Sequence, residues 1–180
     1  MKVVNIYTDG ACSGNQNKKN IGGWGCILEY GGHIKELCGG EIDTTNNRME
    51  LMALVSALSA LKEKGLEVRV YADSSYLINC FREKWYEKWQ QNGWKTTQKT
   101  PVDNKELWEK LIELMKDQKM IFYLVKGHVN IDGPEAKLKN AYMKFIDHNG
   151  NFSLEEFKYI VQMNNRADAL ANVYIKENNA

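Results

Sequence analysis

The chain has 180 residues, 43% of them from the hydrophobic AVILMFWYC set and 26% charged, the balance of one soluble globular domain, which excludes disordered and collagen-like chains. Its 24 basic and 23 acidic residues leave a net charge of +1, so a polyanionic partner has to be held by a local patch. No apolar run approaches the ~18 residues that span a bilayer, MKVVNIYTDG reaches Asp9 too soon for a secretory signal, and Cys12, Cys26, Cys38 and Cys80 form no CxxC pair, which argues for a reducing cytoplasm over a zinc module or disulfide scaffold.

In chain order, Lys2 to Thr8 is a β-branched strand stopped by the turn signal Asp9-Gly10, and the loop ACSGNQNKKNIGG follows. Trp24–Tyr30 and His33–Gly40 flank Gly31-Gly32 as a hairpin, giving an antiparallel meander. Leu51, Leu54, Val55, Leu58 and Leu61 recur at helical spacing, with Thr44, Thr45 or Asn46 as cap and Gly65 as stop. Leu66–Ala72 is a strand ending in Asp73-Ser74-Ser75; Tyr76–Gln91 and Glu106–Lys116 are helices; Ile121–Val125 is a strand leading to Lys126-Gly127-His128. A last helix runs from about Asn165 to Glu177. The pattern predicts one α/β domain over residues 1–180, a mixed five-stranded sheet with helices on both faces.

Residues 129–162 exceed what a structureless loop in such a domain tolerates. They read as an inserted helical hairpin: helix Pro134–Phe145, turn Asp147–Asn151, helix Leu154–Met163. FIDHNGNFSLEEF resembles a calcium-binding loop with Asp147, Asn149 and Glu156 in place, but Phe145 stands at the first ligand position. The stronger reading is an Asn-Gly turn followed by a capping box from Ser153 to Glu156.

The acids are placed by the ends of these elements. Asp9 and Asp73 each close a strand, Glu50 lies in the first turns of the long helix, and Asp168 opens the last one. An isolated acid at such a place is most often a turn former, a cap or a solvated side chain. If the two strands are neighbours, however, Asp9 and Asp73 meet and Glu50 projects towards them. Such a group repels itself unless cations neutralise it, and all-oxygen donors favour magnesium or manganese. Two such ions about 4 Å apart activate water and stabilise a leaving oxygen in phosphodiester hydrolysis.

The words YTDGACSGN, GGWG, TTNNRMEL, YADSSYL, VKGH and NNRADALAN occur in this order, and the chain that carries them resembles the type 1 ribonuclease H family of bacterial type, with only the 129–162 segment outside the match. The resemblance implies a ribonuclease H-like fold and Asp9, Glu50, Asp73 and Asp168 as ligands of two Mg2+ ions, with Mn2+ as substitute. His128 corresponds to a mobile-loop histidine that assists proton transfer or product release. The implied reaction is hydrolysis of the RNA strand of RNA–DNA hybrids, leaving 3′-hydroxyl and 5′-phosphate ends. The alternative, an inactive hybrid-binding module, is disfavoured because all four acids are present; a relative cutting other nucleic acids is a third reading. No hybrid-binding module precedes Lys2, so low processivity is expected, as is a monomer.

Arg82 to Lys99 carries five basic and two acidic residues, a local +3, with Trp85, Trp89 and Trp94 among them. Phe81, Trp85 and Trp89 share one helix face, which by itself reads as packing. The resemblance makes this stretch a basic arm, with Lys88, Lys95 and the three tryptophans on the DNA strand by salt-sensitive phosphate contacts. It likewise places Cys12, Ser13, Asn15, Asn47 and Glu50 on the RNA side, where a 2′-hydroxyl is read, and gives Thr45 and Asn104 a DNA phosphate. Asp43 and Ser75 depart from relatives that carry a basic residue and a glutamine there.

Overall fold

The computed structural model describes residues 1–15 and 18–179. Five strands, β1 (Val3–Asn15), β2 (Lys18–Tyr30), β3 (His33–Ile42), β4 (Glu67–Ala72) and β5 (Lys119–Leu124), form one sheet in the order β3-β2-β1-β4-β5. The first three pair antiparallel as the predicted meander, and β4 joins β1, and β5 joins β4, in parallel. The helices are α1 (Asn46–Ser59), α2 (Ser75–Arg82), α3 (Trp85–Gln91), α4 (Lys105–Met115), α5 (Glu135–Asn149), α6 (Leu154–Ala171) and α7 (Val173–Asn178).

The two-residue period of the strands divides the core. Val4, Ile6, Val68 and Val70 pack with Leu51 and Leu54 of α1 and Trp108 and Leu111 of α4. Tyr7, Ile27 and Tyr71 pack the other way, with Leu138 and Phe145 of α5 and Phe157, Ile160 and Leu170 of α6. The sheet is therefore covered on both faces, as the α/β pattern predicts. Tyr7, Tyr71 and Tyr123 form a stacked ladder across three strands on the second face, with centroids 5.0 and 4.9 Å apart.

Several boundaries differ from the sequence reading. Most of the expected loop after Asp9 is strand: β1 continues to Asn15 and β2 begins at Lys18, because Ala11–Ser13 and Ile21–Gly23 keep their ladder. Helix α1 stops at Ser59, and Gly65, at φ +72°, instead turns the chain into β4, its N–H donating to Asp117 O at 2.8 Å. The helix expected over Tyr76–Gln91 breaks at Lys84, which is left-handed at φ +54°. The break turns α3 so that Phe81 and Trp89 both reach the fully buried Trp108, at 5.2 and 5.3 Å.

The largest difference concerns the segment after His128. Its second helix and the first part of the expected last helix are one, α6, running unbroken from Leu154 to Ala171, since Met163-Asn164-Asn165 contains neither glycine nor proline to stop it, while the rest of the expected helix is split off at Asn172 as α7. Asp168 thus lies deep in α6 rather than at a helix start. The capping box is present: Glu156 N–H donates to Ser153 Oγ at 3.0 Å and Ser153 N–H to Glu156 Oε1 at 2.9 Å. Asn149, another residue of the calcium-like pattern, lies in α5 and binds the edge strand: Leu124 N–H donates to its Oδ1 at 3.0 Å, and its Nδ2 donates to Leu124 O at 2.8 Å. Arg82 also donates to Asn149 Oδ1, at 2.8 Å.

Candidate active site

The register that sets β1 beside β4 pairs Thr8 with Ala72, so the next residues lie side by side where the parallel pairing ends: Asp73 just past the end of β4, and Asp9 within β1, which it does not close as the sequence suggests but which runs on to Asn15. Glu50 comes from α1, whose first turn is fixed by Thr45: Arg48 N–H donates to Thr45 Oγ1 at 3.2 Å. The helix approaches β1 closely because Gly10 has no side chain; a Cβ there would lie 2.5 Å from Glu50 N. On the opposite face Gly25 has the same effect, for a Cβ would lie 2.7 Å from Ala167 O and 2.5 Å from Leu170 Cβ, so α6 seats on bare backbone beside Asp168.

Asp9, Glu50 and Asp73 each offer a carboxylate oxygen, and these oxygens lie within 4.8 Å of one another. Asp9 is 4% and Glu50 2% exposed. Burial, then the charges of Glu50 and Asp73, pushes Asp9 up to about 10. Burial, then Asp73, pushes Glu50 up to about 8, and burial likewise raises Asp73. Glu50 Oε2 is buried with no hydrogen-bond partner, whereas Asp9 Oδ1 accepts from Gly10 N–H at 2.9 Å. The cleft that holds them is lined also by Cys12, Asn47, Ser75, His128 and Asp168, and among the described residues no lysine or arginine lines it. Clustered carboxylates with one oxygen left unsatisfied and no basic counter-charge make a donor set suited to a hard divalent cation.

Asp168 lies in the same cleft but outside the tight group of three oxygens. His128, exposed and left-handed at φ +58°, has Nδ1 4.0 Å from Asp168 Oδ2. Its loop is tied to α6, where Asn165 Nδ2 donates to Val129 O at 3.1 Å.

The other predicted residues divide. Cys12 Sγ reaches Thr44 O at 3.8 Å and Ser13 Oγ donates to Ile21 O at 3.3 Å, so both are engaged locally; the side chain of Asn15 lies outside the described residues. Thr45, Asn47 and Asn104 share a second groove with Asp43 and Trp89. Arg48, unremarked in the sequence, enters that groove too: its Nη1 donates to Asn104 Oδ1 at 3.2 Å, and it pairs with Glu41 and Glu106. Trp85, Trp89 and Trp94 are half-buried and pack against the first core, so the aromatic stripe is largely internal, while Lys88 and Lys95 are exposed. Asn165 and Asn149 were also missed as positioning groups; the single signal for Asn165 is its place within NNRADALAN.

Sheet order and acid cluster together define an α/β protein with a cation-competent cleft at one end of its parallel strands. A family model described as RNase H matches residues 1–175. A ribonuclease H of Clostridium botulinum (strain Hall) is 48% identical over 157 residues, which cover 87% of this chain and 99% of the relative. One from Chlorobaculum parvum is 42% identical over 176 residues, covering 98% and 97%, the segment after His128 included. Among solved structures, LC9-RNase H1, described as a type 1 RNase H with the type 2 active-site motif, superposes with a TM-score of 0.62 at 26% identity, covering 90% of this chain and 83% of that one. LC11-RNase H1, solved in complex with an RNA/DNA hybrid, shares the fold with a TM-score of 0.56 at 21% identity, covering 98% and 99%. The chain belongs to the RNase H family and is an enzyme of that family, a nuclease and hydrolase. Among the described residues no helix is long and apolar enough to cross a membrane.

Proposed function

We propose that this protein is an endoribonuclease that hydrolyses the RNA strand of RNA–DNA hybrids, leaving 3′-hydroxyl and 5′-phosphate ends. The observation that carries the reading is the meeting of Asp9, Glu50 and Asp73, oxygens within 4.8 Å of one another, in a cleft that no lysine or arginine lines among the described residues. These three, with Asp168, would hold two divalent ions, magnesium with manganese as substitute. Bound there, the ions would supply an activated water and charge compensation for the leaving oxygen. The protein's own part is to bring carboxylates to one place from within β1, from the end of β4 and from α1, with no lysine among the described residues lining the cleft to compete. His128, exposed and 4.0 Å from Asp168, would carry a proton at the mouth of the cleft. The small polar groups Cys12 and Asn47 of the cleft on one side, with Ser13 next along β1, and the groove with Thr45 and Asn104 on the other, would take the two unlike strands of one hybrid. A monomer in the cytoplasm is the state we assign; its four cysteines, all free thiols, support a reducing compartment.

The test is cleavage of an end-labelled hybrid with magnesium by the wild type and by Asp9→Asn and Asp73→Asn, with double-stranded RNA and DNA alongside. Hybrid-only cutting that disappears in both variants is the expected result. Cutting of the hybrid that survives in both variants, or none by the wild type with either metal, overturns the reading.

A further inference from the structure

The segment after His128 does more than cover the sheet. In α5, Lys137, Ala141, Lys144 and His148 fall at i, i+4, i+7 and i+11, one narrow stripe of the helix. The stripe faces Lys126, which follows β5, and the space between them is a groove: Lys126, Ala141, Lys144 and His148 line one part of it, and Lys126, Lys137 and Ala141 the next. Lys126, Lys137 and Lys144 are exposed, and among the described residues none of them takes part in an ion pair. Lys139, on the opposite side of the same helix, lines neither part.

The groove is continuous with the carboxylate cleft. Asp73 and Ser75 line both the cleft and the first part of the groove, and His128 lines both the cleft and the second part. A chain that places one phosphate among the carboxylates and continues outward past Asp73 meets three unpaired ammonium groups. Cations that repeat along a path leading away from an anionic cleft match a polymer carrying one negative charge per residue.

We propose that this groove is a second nucleic-acid subsite, in which Lys126, Lys137 and Lys144 hold backbone phosphates of the strand being cleaved, beyond the scissile one. This rests on the proposed hybrid substrate. The subsite adds affinity without reading sequence, because the contacts are to phosphates. Its partner is the cleaved strand itself, and a protein with an acidic surface is the competing outcome.

The experiment measures dissociation constants of a labelled RNA–DNA hybrid by anisotropy, without divalent ion so that nothing is cut, over a range of KCl concentrations. Lys137→Glu/Lys144→Glu is compared with wild type and with Lys139→Glu, which alters charge on the other side of α5. Each lost phosphate contact should flatten the dependence of log K on log[salt] by about 0.7–0.9. The double variant should thus lose about 1.4–1.8 in slope and bind on the order of ten-fold more weakly near 0.1 M salt, and Lys144→Gln about half that slope. In cleavage assays its KM should rise with kcat unchanged. Slopes equal to wild type in the double variant, or an equal change in Lys139→Glu, overturn the proposal, the second because it would reflect net charge alone. Should the wild type fail to cut the hybrid, the hydrolase reading falls while the salt slopes still decide the subsite. All four substitutions fall on three exposed positions, and matching thermal melts confirm that the fold is kept.

Discussion

At Glu50 a carboxylate oxygen is buried with no partner, beside two further acids. In the folded chain this group keeps its proton up to about pH 8, against an ordinary value of 4.5. Between those values the folded state binds more protons than the unfolded one, so stability falls as pH rises through the window, and Asp9 extends the effect towards 10. Metal-free protein should therefore melt at a lower temperature near pH 8 than near pH 5.5, and millimolar magnesium should restore it; a metal-free melting temperature that is flat or rising over that interval contradicts the account. Glu50→Gln should separate the two roles of the residue. Without metal near pH 8 it should raise the melting temperature by roughly 2–4 °C per kcal/mol of repulsion relieved. Outer partners of metal ligands alone are worth about 10–100-fold, so hydrolysis should fall by more than about 100-fold. Gly25 acts in the opposite sense: Gly25→Ala puts a methyl group against Ala167 O and Leu170 of α6, which should cost about 1–3 kcal/mol in urea unfolding.

Elements show where the sequence was legible and where it was not. The acids could be read because motif words and, at Asp73, a strand end are local signals: a β-branched run followed by Asp-Ser-Ser declares both the strand and the residue it delivers, whereas Asp9-Gly10 does not end β1, whose ladder with β2 carries it on to Asn15. That β1 and β4 lie side by side is a long-range fact, and sequence could supply it only through the resemblance. Helix joints were the weakest point. Lys84 breaks a continuous periodic pattern because two aromatic side chains must both reach Trp108, a tertiary requirement that leaves no local mark. Conversely, Asn164 and Asn165 look like the start of a helix and lie inside one, since Ser153 had already capped it. Asn149 was read as part of a turn or a defective calcium loop, yet its amide makes two hydrogen bonds to the backbone of Leu124 on the edge strand. Asn149→Ala leaves those groups without their partner and should cost about 1–3 kcal/mol in chemical denaturation. Ser153→Ala removes the cap of α6 and should cost about 0.5–2 kcal/mol by the same measurement.

For the whole molecule, α6 ties what sequence separates as insert and domain. Phe157 and Ile160 near its start and Leu170 near its end belong to one buried cluster with Tyr7, Ile27 and Tyr71 of the sheet. Excising residues 132–159 would remove Leu138, Phe145 and Phe157, each worth about 1.5–3 kcal/mol of burial, a sum comparable to the stability of an ordinary domain. The excised chain should lose its cooperative melt, while the intact chain should unfold in one transition that coincides by far-ultraviolet circular dichroism and tryptophan fluorescence. A rod of 18 residues is about 27 Å long, with its capped end among the insert and Asp168 some 21 Å further on. It is a lever with its fulcrum at the glycine seat on β2. A tilt of about 5° swings the capped end by about 2 Å, but Asp168 sits beside the pivot, between Ala167 and Leu170, and barely moves. Surface changes in the insert can therefore alter the hold on a nucleic acid while the carboxylates stay where they are, so grip in this protein is open to adjustment apart from turnover.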